Sequence, residues 1–170
     1  MGWCSLELTD DGSGGAPKEV SEIQMLTTVE PRMKILVFTE GTTIRWTLKI
    51  PSGNAAEKLQ TWKRQGAKIA YLTSRTKPDE IETVRNLLGQ YGFPQGELFY
   101  RHEGEEYKDV AERIMPHFLI EDDCESIGGE AEMTYPHVKP ELKQKIKSIV
   151  VSEGGGIDHL PDNLFDLARY

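Results

Sequence analysis

A chain of 170 residues, 38% of them hydrophobic and 28% charged, suits a single globular domain with its own core. Its 20 Lys and Arg against 28 Asp and Glu give a formal net charge of -8, which argues against a general binder of nucleic-acid backbone and leaves room only for a small local basic site. Cys4 and Cys124 form no CxxC pair, no apolar h-region follows Met1, and no apolar run nears the roughly 20 residues of a membrane span. The expectation is therefore a cytoplasmic protein with neither a disulfide framework, a structural zinc site, a secretory signal nor a membrane segment.

Residues 1–32 differ from the rest. Asp10-Asp11-Gly12-Ser13-Gly14-Gly15-Ala16-Pro17 has turn or linker composition, and residues 20–26 are weakly periodic, suiting a helical turn or a strand. The segment reads as a flexible extension that contributes little to the core, with the folded domain over residues 33–170. Met33 directly precedes the first strong strand, so a translation start there competes with a native extension.

From Lys34 the pattern is regular. Lys34-Ile35-Leu36-Val37-Phe38 is a short apolar run of the kind found in buried parallel strands. Residues 54–65 carry Ala55, Leu59 and Trp62 at helical spacing, closed by Gly66. Residues 67–72 form the second predicted strand. Pro78 opens a second helix whose buried stripe is Ile81, Val84, Leu87 and Leu88. A third strand follows over residues 97–100, a third helix over 107–115, and a fourth strand at His117-Phe118-Leu119-Ile120. The alternation predicts a parallel sheet with helices on both faces and the first strand in the middle, flanked by the second and fourth. Beyond Gly129, Met133-Thr134-Tyr135 is expected as a short fifth strand. Leu142, Ile146, Ile149 and Val150 are spaced for a helix that Gly154-Gly155-Gly156 would end, with a strand at Ile149-Val150-Val151 as the competing reading.

In doubly wound sheets, ligands bind at the carboxyl ends of the strands. Here those ends carry Phe38-Thr39-Glu40-Gly41-Thr42, then Thr73-Ser74-Arg75, then Glu121-Asp122-Asp123, and the helix before the fourth strand opens with Tyr107-Lys108-Asp109. Hydroxyls, carboxylates and one lysine thus fall where a single site can form. Taken alone, each has a plainer role. Phe38 is a core residue at a strand end, Glu40 caps local amides, and Thr73 and Ser74 are turn or cap residues. Lys108 is a solvated lysine, although at a helix start it runs against the dipole. The three acids make a charged loop.

In order and spacing these segments resemble the four motifs of the haloacid dehalogenase-like (HAD) phosphohydrolase superfamily. The first motif, Asp-x-Asp-Gly-Thr after a strand, corresponds to Phe38-Thr39-Glu40-Gly41-Thr42. The second, a Ser or Thr ending the second strand, corresponds to Thr73. The third, a Lys at a helix start, corresponds to Lys108, and the fourth, an acidic pair after an apolar strand, to Asp122 and Asp123. The likeness spans residues 33–129. It implies a three-layer, Rossmann-like α/β domain of the capless type. It also implies Glu40 and Lys108 as candidate catalytic groups, with Thr39, Thr73, Ser74 and Lys108 around phosphate and Asp122, Asp123 and Glu40 around a weakly held Mg²⁺.

The likeness fails at the nucleophile. In the family the first Asp attacks phosphorus, whereas Phe38 has no oxygen with which to attack phosphorus or bind a cation. The leading expectation is a HAD-like domain that has lost its nucleophile and binds a phosphate-bearing ligand, a metal or a protein. Two alternatives accompany it: an active Mg²⁺-dependent phosphohydrolase built around Glu40, and a flavodoxin-like or response-regulator-like binding module. Cys124 has no His partner in the pattern, and His137 and His159 lack metal-ligand spacing.

Overall fold

The computed structural model describes residues 33–170, and the extension expected over 1–32 lies outside the described residues. The sheet strands are β1 (Lys34–Phe38), β4 (Lys68–Leu72), β5 (Glu97–Phe99), β6 (Phe118–Asp122) and β7 (Lys147–Val151). Between them lie the two-residue strands β2 (Ile44–Arg45) and β3 (Ile50–Pro51), which pair as a small antiparallel hairpin. The helices are α1 (Ala55–Arg64), α2 (Pro78–Gln90), α3 (Tyr107–Ile114) and the single turn α4 (Pro140–Lys143).

The five sheet strands run in the order β5-β4-β1-β6-β7, every pair parallel. β1 is central and flanked by the second and fourth predicted strands, as the alternation required. Numbered among themselves in chain order, the strands read 3-2-1-4-5. Flavodoxin-like and response-regulator sheets read 2-1-3-4-5, so the connectivity corrects that alternative.

Because strand side chains alternate, β1 feeds two cores. Ile35 and Val37 join Ile69, Tyr71, Phe118 and Ile120 under α1 and α2, whereas Leu36 and Phe38 join Ala70, Leu72 and Leu119 under α3. The first core also includes Ile157, Leu160, Leu164 and Leu167, each no more than 2% exposed. The sequence assigns no element to this C-terminal segment, yet it is tied across α1. Trp62 Nε1 donates to the Pro161 carbonyl at 2.9 Å and Lys58 Nζ to the Leu160 carbonyl at 2.7 Å.

Two expectations are corrected beyond Gly129. Residues 133–135 pair with no strand, because the amides of Thr134 and Tyr135 are taken by the Glu121 carboxylate at 2.6 and 2.9 Å and a 3₁₀ turn, Tyr135–His137, follows. The helix expected through Val150 ends at Lys143, and the competing strand reading holds. Ile149 and Val151 are buried while Val150 is 45% exposed, a period of two that half-buries β-branched residues against the open edge of β6. Gly154-Gly155-Gly156 is accordingly a turn after a strand, and its Gly154 amide donates to the Gly41 carbonyl at 2.6 Å. No helix among the described residues is long and apolar enough to cross a membrane.

Candidate functional site

The carboxyl ends of β1, β4, β6 and β7 meet at one edge of the sheet. Glu40, two residues past β1, turns toward the end of β4 and is saturated there. Its Oε1 accepts from Thr73 Oγ1 at 2.6 Å. Its Oε2 accepts from Thr39 Oγ1 at 2.8 Å, from the Ser74 amide at 2.9 Å and from Ser74 Oγ at 3.3 Å. Arg75 Nε stands 3.8 Å from Oε1. The structure thus brings Glu40, Thr39, Thr73 and Ser74 together and adds Arg75.

Phe38 packs with Leu36, Leu72 and Leu119 in the core under α3, the face that its parity with Leu36 dictates. Its ring meets Tyr107 edge-on at 5.2 Å between centroids, a stable aromatic geometry. Burial pushes the Tyr107 hydroxyl above its usual range, and the Arg101 guanidinium lies 4.0 Å from the centre of the Tyr107 ring. Arg101 Nε is buried without a hydrogen-bond partner among the described residues. Lys108 has another partner, pairing with Glu106 at 2.5 Å, and this bond raises its ammonium pKa. Glu106 and Asp109 form a reciprocal capping box on α3, so Lys108 at an unfavourable helix position is neutralised by the N-cap residue itself.

The strand carrying the acids runs two residues further than expected, and alternation therefore separates them. Glu121 turns inward to the 134–135 amides, whereas Asp122 faces the β1 loop. Asp122 Oδ1 accepts from Thr42 Oγ1 at 2.9 Å, and Oδ2 accepts from the Cys124 amide at 3.3 Å. Burial raises the Asp122 pKa, and the Thr42 hydrogen bond opposes that rise. Gly41, at φ 78°, passes against this carboxylate. Asp122, Asp123 and Glu153 each present an oxygen within 4.8 Å of the others. Glu153 is held by the Ser126 amide at 2.9 Å and Ser126 Oγ at 2.6 Å, and its own amide donates to Asp123 Oδ1 at 3.1 Å. Each carboxylate retains spare lone pairs, and three hard oxygens fit a Mg²⁺ that takes few protein ligands and keeps its waters. Glu40, bonded toward β4, does not belong to this trio. The Cys124 thiol beside it is pushed up to about 12, first by burial and then by Asp122, so it stays protonated at neutral pH and is no nucleophile.

No family model matches the chain, and no curated protein does. Among solved structures, the chain is similar to a universal stress protein in complex with cAMP. That likeness covers 71% of this chain and 95% of the other, at 12% identity and a TM-score of 0.38. It is also similar to the cobalt-bound form of the deoxy-D-mannose-octulosonate 8-phosphate phosphatase YrbI from Haemophilus influenzae. There the cover is 73% of this chain and 80% of the other, at 13% identity and a TM-score of 0.40. These likenesses concern the α/β fold and carry no assignment of function.

Between the β2–β3 hairpin and the loops after β6 and β7 lies a cavity of about 580 Å³ lined by Glu40, Arg45, Trp46, Leu48, Ser126 and Glu153, among others. Trp46 is an electron-rich platform there: Lys49 Nζ sits 2.7 Å from its ring centre and the Arg75 guanidinium 4.9 Å. Four residues of this edge escape the motif reading. Arg75 was visible as the residue after Thr73-Ser74 at a strand end. Glu153 follows a strand read as a helix, so its place at a carboxyl end was hidden. Arg101 and Trp46 carry no local signal.

Proposed function

We propose that this is a HAD-like domain without phosphoryl transfer, which binds a phosphate-bearing ligand together with a divalent cation. Asp122, Asp123 and Glu153 hold the cation, which neutralises phosphate charge and orients the ligand's oxygens. Arg75 and Arg101 face the ligand as cations, and Lys108 joins them by leaving Glu106. Thr39, Thr73 and Ser74 are the hydroxyl-bearing wall of the phosphate seat. The observation that carries the reading is the acidic trio at this edge, in a chain that has Phe38, packed on Tyr107, at the position corresponding to the family's nucleophile. The alternative of an active phosphohydrolase based on Glu40 has the geometry against it. Both of that carboxylate's oxygens are already engaged by the chain's own donors, and these bonds must break before it can reach a water or a phosphorus.

The test is turnover of an aryl phosphate and a nucleotide panel with Mg²⁺. The wild type is expected to be silent, and Phe38→Asp to gain activity. A missing nucleophile costs several decades of rate, each about 1.4 kcal/mol of barrier. Wild-type turnover that vanishes in Glu40→Gln would overturn the proposal. Calorimetry supplies a second measurement. Mg²⁺ alone is expected to bind weakly, since the family's first-motif carboxylate ligand is gone, and to bind more tightly once a phosphate ligand is added. Tight Mg²⁺ binding with no phosphate present would contradict this.

A further inference from the structure

The groups around Glu40 form an anion receptor, and their arrangement is not that of a local turn. A carboxylate that only caps its own loop takes amides one to three residues away. Glu40 instead takes donors from the ends of two strands: Thr39 on one side, and Thr73, Ser74 and Arg75, more than thirty positions on, from the other. Thr39 and Thr73 are fully buried, and the Glu40 side chain is 10% exposed. Three hydroxyls, one amide and a guanidinium are the donor set that oxyanions recruit. Two cations meet two carboxylates around this seat, so displacing Glu40 leaves a positive charge for an incoming anion. Arg75 and Lys49 both lie against Trp46, and Glu80, 4.0 Å from Arg75, is the further acid in reach. Desolvation first, then Arg75, lower the Lys49 pKa, as expected of two cations crowded at one place.

We infer that Glu40 is a tethered occupant of the phosphate seat, an internal oxyanion that an incoming phosphate group must displace. This rests on the reading of the edge as phosphate-binding and adds its regulation. In the closed state the seat is satisfied by the chain itself and a weak ligand cannot enter. A phosphate dianion, better matched to Arg75 and Lys49, expels the Glu40 carboxylate into the adjoining cavity, which is within the size range of ligand sites. Holding the seat closed lowers apparent affinity by the fraction of open molecules, the cost that removal of the tether abolishes.

The experiment is calorimetry of the full chain with inorganic phosphate, with and without Mg²⁺, on the wild type, Glu40→Ala and Glu40→Ala/Thr73→Val. Glu40→Ala is expected to bind phosphate about tenfold or more tightly than the wild type, and Thr73→Val to remove the gain. Added phosphate at one fixed concentration should raise the melting temperature of Glu40→Ala by more than that of the wild type, since the stabilisation grows with the ratio of ligand concentration to Kd. A folded Glu40→Ala, checked by circular dichroism, that shows no gain overturns the inference, as does a gain that survives Thr73→Val. Should Glu40→Ala fail to fold, Glu40→Gln keeps the volume and drops the charge. It is then expected to show a smaller gain with the same dependence on Thr73, and no gain there counts equally against the inference. The measurement without Mg²⁺ separates the two readings. A gain in its absence establishes the self-occupied seat even where the acidic trio binds no cation, and cation binding without any gain leaves the trio and removes the tether.

Discussion

Replacing Glu121 by Ala is expected to cost about 3 kcal/mol of stability and to lower the melting temperature by roughly 10 °C. The carboxylate is 2% exposed and accepts from the Thr134 and Tyr135 amides. Truncation leaves two amides without partners under the loop that follows β6, and each such orphan costs about 1–3 kcal/mol. The loss should depend on pH. Burial raises the Glu121 pKa above its ordinary value, with the amide hydrogen bonds opposing. Between the unfolded and folded pKa values the native state holds a proton that the unfolded chain has released. The contribution of Glu121 is therefore fully present below the unfolded pKa and declines as pH rises through the folded one. Urea midpoints of wild type and Glu121→Ala, measured from pH 4 upward, should converge with rising pH. A constant gap, or one that widens, would show that the buried acid is not the titrating group.

Glu121 also marks where the sequence stops being legible. The central sheet could be read because β1, β4 and the start of β6 are short apolar runs closed by turn residues, and parallel strands buried on both faces leave that trace, while β5 at the edge is half-buried. The acidic run after Ile120 reads as loop, since three acids in a row contradict a buried strand. Yet β6 continues through Asp122 because alternation gives each acid a different solution. Glu121 finds two amides, Asp122 finds Thr42 and the Cys124 amide, and Asp123 reaches the Glu153 amide. These partners lie 2 to 80 positions away, so only the fold supplies most of them. The same blindness left β7 as only the competing reading, because Ile146, Ile149 and Val150 satisfy helical spacing by coincidence while the free edge of β6 imposes a period of two. It also hid the C-terminal segment, whose four buried residues have the 3-4-3 spacing of a helix face but are interrupted by Pro161 and form turns and a 3₁₀ segment, Leu164–Ala168, instead.

At the site, residue types were legible and connections were not. Thr39, Glu40, Thr73 and Ser74 were each marked by a strand end, but that Glu40 would itself engage the three hydroxyls depends on its one additional methylene and on the spacing of β1 and β4. Lys108 corresponds to the Lys of the third motif, at a helix start where it runs against the dipole. Glu106, two residues before it, answers that conflict locally, and Arg101, invisible as a motif, stands beside Tyr107 instead.

Gly41→Ala tests whether the β1 loop and the acidic trio form one unit. Gly41 has φ 78°, a conformation that costs a side-chain-bearing residue roughly 1–3 kcal/mol. A Cβ there would stand 2.6 Å from Asp122 Oδ1 and 2.8 Å from Oδ2, so the carboxylate must move. Asp122 is short, 7% exposed and held by Thr42 Oγ1 and the Cys124 amide, and displacement breaks at least one of these bonds, adding about 1–3 kcal/mol of crowding. The expected result is a destabilisation of about 2–6 kcal/mol, with Mg²⁺ affinity in the presence of phosphate reduced at least about tenfold. Gly92→Ala is the control. Its φ is 69°, but nothing lies within 4 Å of the added carbon, so it bears the backbone strain alone and should leave Mg²⁺ binding as it was. The difference between the two variants isolates the collision with Asp122. Equal losses of stability with unchanged Mg²⁺ binding in both would mean that the carboxylate yields freely and that Gly41 serves only the turn.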